Sequence, residues 1–165
     1  MPPGYEGRRF FQGLEVTMLP IQRILCPTDF SEPSFAALEV AAELARVFGA
    51  EIVVVHVLTP IPVAEIPALH AGFNVDRYQE VLGESLRRAL DEVIATRLGG
   101  TATVRGVLVV GHPAAEIVRV GHEEGADLIV LSTHGRSGVG HLLFGSVAER
   151  VVRSARCPVL TIRAR

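Results

Sequence analysis

At 165 residues, with 48% apolar and 21% charged, the chain can bury the core of one domain and is too apolar to be disordered. Its net charge of −2 excludes a global basic field for nucleic acid or an anionic membrane surface. All 16 basic residues are arginine and lysine is absent, which excludes a P-loop lysine and a Schiff-base lysine.

Residues 1–17 carry Pro2, Pro3, Gly4, Gly7, Arg8, Arg9 and Gly13 without a period. Met1 to Gln12 lack the apolar stretch of a secretory signal. We expect a disordered leader or a mis-called start, with the folded domain running over 18–165 and translation starting at Met18. No apolar run reaches the ~18–20 residues of a membrane span, so the cytoplasm is the expected compartment. Cys26 and Cys157 each precede a proline inside an apolar run and form no metal spacing, which predicts two small buried hydrophobes.

Regular structure begins after Ile21. The run RILCP, residues 23–27, predicts a first strand that ends in Thr28-Asp29. Ser31-Glu32-Pro33 predicts a helix start, with the serine as cap and acid and proline in the first turn. Phe35, Leu38, Ala42 and Ala45 share one face of that helix, and Gly49 is placed to stop it after Phe48. EIVVVHVL, residues 51–58, is a continuous β-branched run, the pattern of a strand covered on both faces. Residues 59–72 hold three prolines and predict a mobile loop. Residues 74–98 predict an amphipathic helix striped by Val75, Tyr78, Leu82, Leu86, Ala89 and Val93. Its wet face carries the pairs Glu84/Arg88 and Arg87/Asp91. A strand over 103–110, a helix over 113–124 and a strand over 127–133 follow. Next come a glycine-rich loop over 134–145, a helix over 146–155 and a last strand over 158–163.

Strands alternating with helices imply βαβ crossovers and an α/β parallel sheet. The ligand crevice of such a sheet lies beyond the carboxyl ends of its strands. Two polar groups occupy such ends: Thr28-Asp29, and the segment from Ser132 to Ser146. In the latter, glycines at 135, 138, 140 and 145 let backbone N–H groups approach a ligand. The helix start at Ser146 adds unpaired N–H groups and a positive dipole end, which suits phosphate. Ser146 and Glu149 also read as a capping box that requires no ligand. Asp29 could cap the first helix or accept a bond from loop backbone, and His112, which precedes Pro113 at a helix start, could cap that helix. Arg136 could be a solvated charge. His56, in mid-strand, is expected to be a satisfied core or edge histidine. His134 carries more weight because it lies inside the candidate cradle.

CPTDFSEPSFAALEVA, VVVHVL and LIVLSTHGRSGVGHLLFGSVAERVVRSARCPVLTIR together resemble the universal stress protein family over residues 21–163. The resemblance implies a single Rossmann-like domain of the adenine nucleotide alpha hydrolase-like kind, with a five-stranded sheet ordered 3-2-1-4-5 and helices on both faces. It implies ATP binding through a G-x2-G-x9-G-[S/T] pattern. Gly135 matches the second glycine, nine residues follow it, and Gly145-Ser146 complete the pattern. Ser132 replaces the first glycine. It would crowd the ligand if its φ were positive, and would offer its N–H and hydroxyl if φ were negative. Pro27, Thr28 and Asp29 match the end of the family's first strand, where the aspartate faces the nucleoside. Val57 matches a position whose backbone meets adenine, and Val147 one whose N–H meets phosphate. His134 and Arg136 complete the expected set.

With no lysine, Mg²⁺ or Mn²⁺ is expected to share the charge balance. The resemblance further implies a homodimer through the last strand, from Pro158 to Ile162, and a nucleotide-dependent role in the stress response. A slow ATPase and a nucleotide-free, chaperone-like interaction module are the alternatives.

Overall fold

The computed structural model describes residues 20–60, 75–100, 103–134 and 145–163. The leader, most of the proline-bearing loop, and the segment 135–144 with Gly135 and Arg136 lie outside the described residues. The elements, in order, are β1 (Arg23–Pro27), α1 (Glu32–Phe48), β2 (Glu51–Leu58), α2 (Val75–Arg97) and β3 (Val104–Val110). They continue with α3 (Pro113–Glu123), β4 (Leu128–Ser132), α4 (Ser146–Ser154) and β5 (Val159–Ile162). The five strands form one sheet in the order β3-β2-β1-β4-β5, and every pairing is parallel.

Alternation along each strand decides which helix it meets. Ile24, Cys26, Ile52, Val54, Leu128 and Val130 point to one face, where they pack with Leu38, Ala41, Ala42 and Ala45 of α1 and Leu90 of α2. Leu25, Val53, Val55, Ile129 and Leu131 point to the other, against Ile117 and Val120 of α3 and Ala148 and Val151 of α4. Both faces are therefore covered, as the uninterrupted β2 run predicts. Gly106 of β3 brings α2 close. A Cβ there would lie 2.9 Å from Leu90 Cδ2 and 3.1 Å from Ile94 Cδ1.

The signals at the ends of α1 are realised. Ser31 is the N-cap and accepts from Ser34 N–H, and Gly49 closes the helix at φ 70° in the left-handed region. Four expectations are corrected. Gly145, not Ser146, is the N-cap of α4, with no side-chain cap bond, so the capping box does not form; the chain turns one residue earlier and Ser146 becomes the first helical residue. His112 is the N-cap of α3, but its side chain makes no cap bond. Cys26 is fully buried, whereas Cys157 is only half-buried. The two i,i+4 pairs expected on α2 are not among the ion pairs of the described residues. The charge of α2 instead reaches across to α1, where Arg97 pairs with Glu39 at 3.3 Å.

The amino ends of the strands carry a charged network. Arg23 Nε meets Glu51 Oε2 at 3.0 Å, and Arg105 Nε meets Glu51 Oε1 at 2.8 Å. Arg105 also forks onto both Glu124 oxygens, and Arg23 donates to the Glu124 carbonyl. Asp127 Oδ2 accepts from the backbone N–H groups of Gln22 and Arg23 at 2.8 and 2.9 Å. These contacts tie β1, β2, β3 and the end of α3 together on the rim opposite the strands' carboxyl ends.

Candidate functional site

The switch point lies between β1 and β4, where the order of connection reverses. A cavity of about 490 Å³ opens at their carboxyl ends. Pro27, Thr28 and Asp29 enter it from β1, His56 and Val57 from β2, and Ser132, Thr133 and His134 from β4. Gly145, Ser146 and Val147 enter from the start of α4, and Leu82 and Leu86 of α2 with Ile117 of α3 close the apolar side. Nine of the eleven residues singled out in the sequence therefore surround one cavity. The remaining two, Gly135 and Arg136, lie outside the described residues.

The β1–α1 turn is held by a hydroxyl relay. Ser34 Oγ donates to the Ser31 carbonyl at 2.8 Å. Its one hydrogen is then spent, so Thr28 Oγ1 is the donor in the 3.0 Å contact between the two hydroxyls. Thr28 Oγ1 in turn accepts the Phe30 N–H at 3.1 Å. Asp29 Oδ1 accepts the Ser31 N–H at 3.1 Å, and the Ser31 hydroxyl as well. Asp29 thus caps its own turn and also lines the cavity. Among the described lining residues it is the one with a formal charge.

His56 is 8% exposed and its Nδ1 lies 2.8 Å from the Thr28 carbonyl. A carbonyl can only accept, so Nδ1 carries the hydrogen. The expectation of a satisfied histidine holds, and the same residue also lines the cavity. Phe30 was not singled out by the sequence. It has φ 62°, an unfavourable conformation for a bulky side chain, and its ring centroid is 4.4 Å from that of His56.

On the β4 side, Ser132 is the last strand residue, in register with Ile162. Its φ is not positive, so its Cβ follows the ordinary strand direction. Its hydroxyl donates to the His134 carbonyl at 2.6 Å. Gly145 donates its N–H to the Thr133 carbonyl at 2.7 Å, and a Cβ on Gly145 would lie 3.1 Å from that same oxygen. The φ of −71° would suit any residue, so what favours glycine here is the close approach to that oxygen. The N-cap residue Gly145 gives the first turn of α4 no side-chain cap bond, and the N–H groups of Ser146, Val147 and Ala148 have no intrahelical partner. They place partial positive charge at the cavity edge.

Comparison with known proteins settles the family. The model of the universal stress protein family matches residues 20–163. The chain belongs to the universal stress protein family. It is 34% identical over 142 residues to universal stress protein MJ0531 of Methanocaldococcus jannaschii, covering 86% of this chain and 82% of that one. A universal stress protein of Thermus aquaticus is 37% identical over 142 residues, covering 85% and 97%. Among solved structures, that of hypothetical protein MJ0577 superposes with a TM-score of 0.72 at 28% identity, covering 88% of this chain and 97% of that one. A universal stress protein from Archaeoglobus fulgidus in complex with dAMP superposes with a TM-score of 0.59 at 25% identity, covering 87% and 98%. No described helix is long and apolar enough to cross a membrane.

Proposed function

We propose that this universal stress protein binds an adenine nucleotide, ATP with Mg²⁺ or Mn²⁺, in the switch-point cavity and acts as a nucleotide-dependent dimeric regulator in the stress response. The observation that carries this reading is the placement of the α4 N-terminus and Asp29 around one cavity. Backbone N–H groups suit phosphates, and a carboxylate suits ribose hydroxyls. The dAMP complex of the Archaeoglobus fulgidus relative supports the ligand class. In this reading Pro27, Thr28, Asp29 and Val57 meet the nucleoside. Ser132, His134, Gly145, Ser146 and Val147 meet the phosphates, together with Gly135 and Arg136.

No group of three or more metal-binding side chains occurs among the described residues. In this reading the magnesium ion is held chiefly by phosphate oxygens and water, with one protein group such as the Ser146 hydroxyl. The homodimer is proposed through β5, which pairs with β4 on one side and exposes Leu160. An edge of this kind is a pairing template.

Calorimetric titration with ATP, ADP and AMP, with and without Mg²⁺, tests the reading. Saturable binding strengthened by the cation is expected. Absence of binding by all three overturns it.

A further inference from the structure

We infer that His56 is a positioning residue that sets the place of the Asp29 carboxylate by clamping the β1–α1 turn. The inference rests on the nucleotide reading only for its consequence, since the clamp itself is a matter of contacts. Asp29 sits between two neighbours that His56 touches. On one side, the imidazole Nδ1–H reaches the Thr28 carbonyl at 2.8 Å. On the other, the ring packs on Phe30 with centroids 4.4 Å apart at 37°. Phe30 is the one non-glycine residue with positive φ among the described residues. A phenylalanine adopts that conformation only when its surroundings over-determine it. Here the surroundings are the His56 ring, the apolar face above α1 and the Phe30 N–H bond to Thr28 Oγ1 at 3.1 Å.

The geometry has a further consequence. The turn of the chain at Phe30 delivers the Ser31 N–H and hydroxyl to Asp29 Oδ1. If Phe30 relaxes to negative φ, Ser31 swings away and the carboxylate loses its two bonds to Ser31. The strained residue is thus the hinge, and a histidine on a different strand holds it. β2 thereby controls a carboxylate carried after β1.

The test uses the full chain and four variants: His56→Leu, His56→Asn, His56→Gln and Asp29→Ala. Asparagine puts its amide nitrogen at the same bond count from Cα as Nδ1, so it keeps the donor to Thr28. Glutamine keeps the polarity and displaces the donor by one carbon. Two readouts are taken. Amide hydrogen exchange at Phe30 and Ser31 without ligand reports the turn itself. ATP affinity reports the consequence.

Exchange at both amides is expected to accelerate about tenfold or more in His56→Leu and His56→Gln, and to stay near wild type in His56→Asn. The ATP Kd should rise about tenfold in the same two variants and recover in His56→Asn. In an Asp29→Ala background, the His56→Leu change should shrink to about twofold or less. A merely structural loss would not show this coupling. Unchanged exchange, equal behaviour of asparagine and glutamine, or full additivity with Asp29→Ala overturns the inference. If His56→Leu does not fold, the contrast between asparagine and glutamine decides alone. Wild-type protein that binds no nucleotide overturns the proposed function, and the exchange data then judge the clamp by itself.

Discussion

The Gly145 N–H meets the Thr133 carbonyl at 2.7 Å, closing the gap between the end of β4 and the start of α4. The contact holds the first turn of α4 beside the end of β4, at the cavity. A methyl group at 145 would stand 3.1 Å from the same carbonyl oxygen, tighter than ordinary contact. Gly145→Ala is expected to shift α4 by a few tenths of an ångström and to cost about 1 kcal/mol of stability. It should also weaken ATP binding. Thermal melting and calorimetry check both. An unchanged melting temperature together with unchanged affinity would remove the contact from any role.

Ser146 tests the other half of the cradle. As the first helical residue it caps nothing, so Ser146→Ala should leave stability within about 0.5 kcal/mol. If its hydroxyl contacts phosphate or the cation, the same change should raise the ATP Kd roughly tenfold. A stability loss of about 1 kcal/mol with unchanged affinity would instead mark the residue as a cap.

Gly106 and Leu90 form a close fit between β3 and α2. An added methyl at 106 would lie 2.9 Å from Leu90 Cδ2, and Leu90 is 1% exposed. Gly106→Ala is expected to destabilise by about 1–3 kcal/mol, and Leu90→Ala by about 2–5 kcal/mol through the cavity it leaves. The double variant should lose less than the sum, because the smaller side chain makes room for the methyl. Urea unfolding of the three variants reads this directly.

The network of the strands' amino ends predicts a dependence on pH. Hydrogen bonds from Arg105, then from Arg23, hold the Glu51 carboxyl below its ordinary range. The Arg105 hydrogen bond does the same for Glu124. Unfolded glutamates titrate near about 4.3. The stabilisation is therefore full above that pH and is lost as pH falls through the lower folded values. Arg105→Met should destabilise the protein at pH 7 by about 1 kcal/mol or less per pair, since Arg105 is 40% exposed and water screens it. The gap to wild type should narrow at pH 3. A gap that stays constant between these pH values would refute the assignment.

Leu160 is 37% exposed on β5. Leu160→Glu puts a carboxylate from each chain into the seam of an edge-to-edge pairing through β5, and should convert a homodimer to monomer in sedimentation with little change in the fold. A dimer that persists places the interface elsewhere.

The elements were legible where local chemistry decides them. Ser31 and Gly49 bound α1 because caps act within one turn, and the β-branched run of residues 51–58 needs only its own side chains to read as a covered strand. The strand order was a different matter: it came with the family resemblance, because periodicity does not say which strands are neighbours. The α4 cap was misplaced by one residue because Gly145 is drawn to Thr133, a partner outside the helix. Phe30 was invisible for the same reason: its conformation depends on His56, distant in sequence and adjacent in space. Arg105 meets Glu51 only because the parallel register sets β3 beside β2, and nothing in either residue's neighbourhood announces it.

The charged network and the cavity occupy opposite rims of one sheet. The residues that line the cavity and the residues that form the clasp are separate sets, so substitutions around the cavity leave the Arg23–Glu51–Arg105–Glu124 contacts in place.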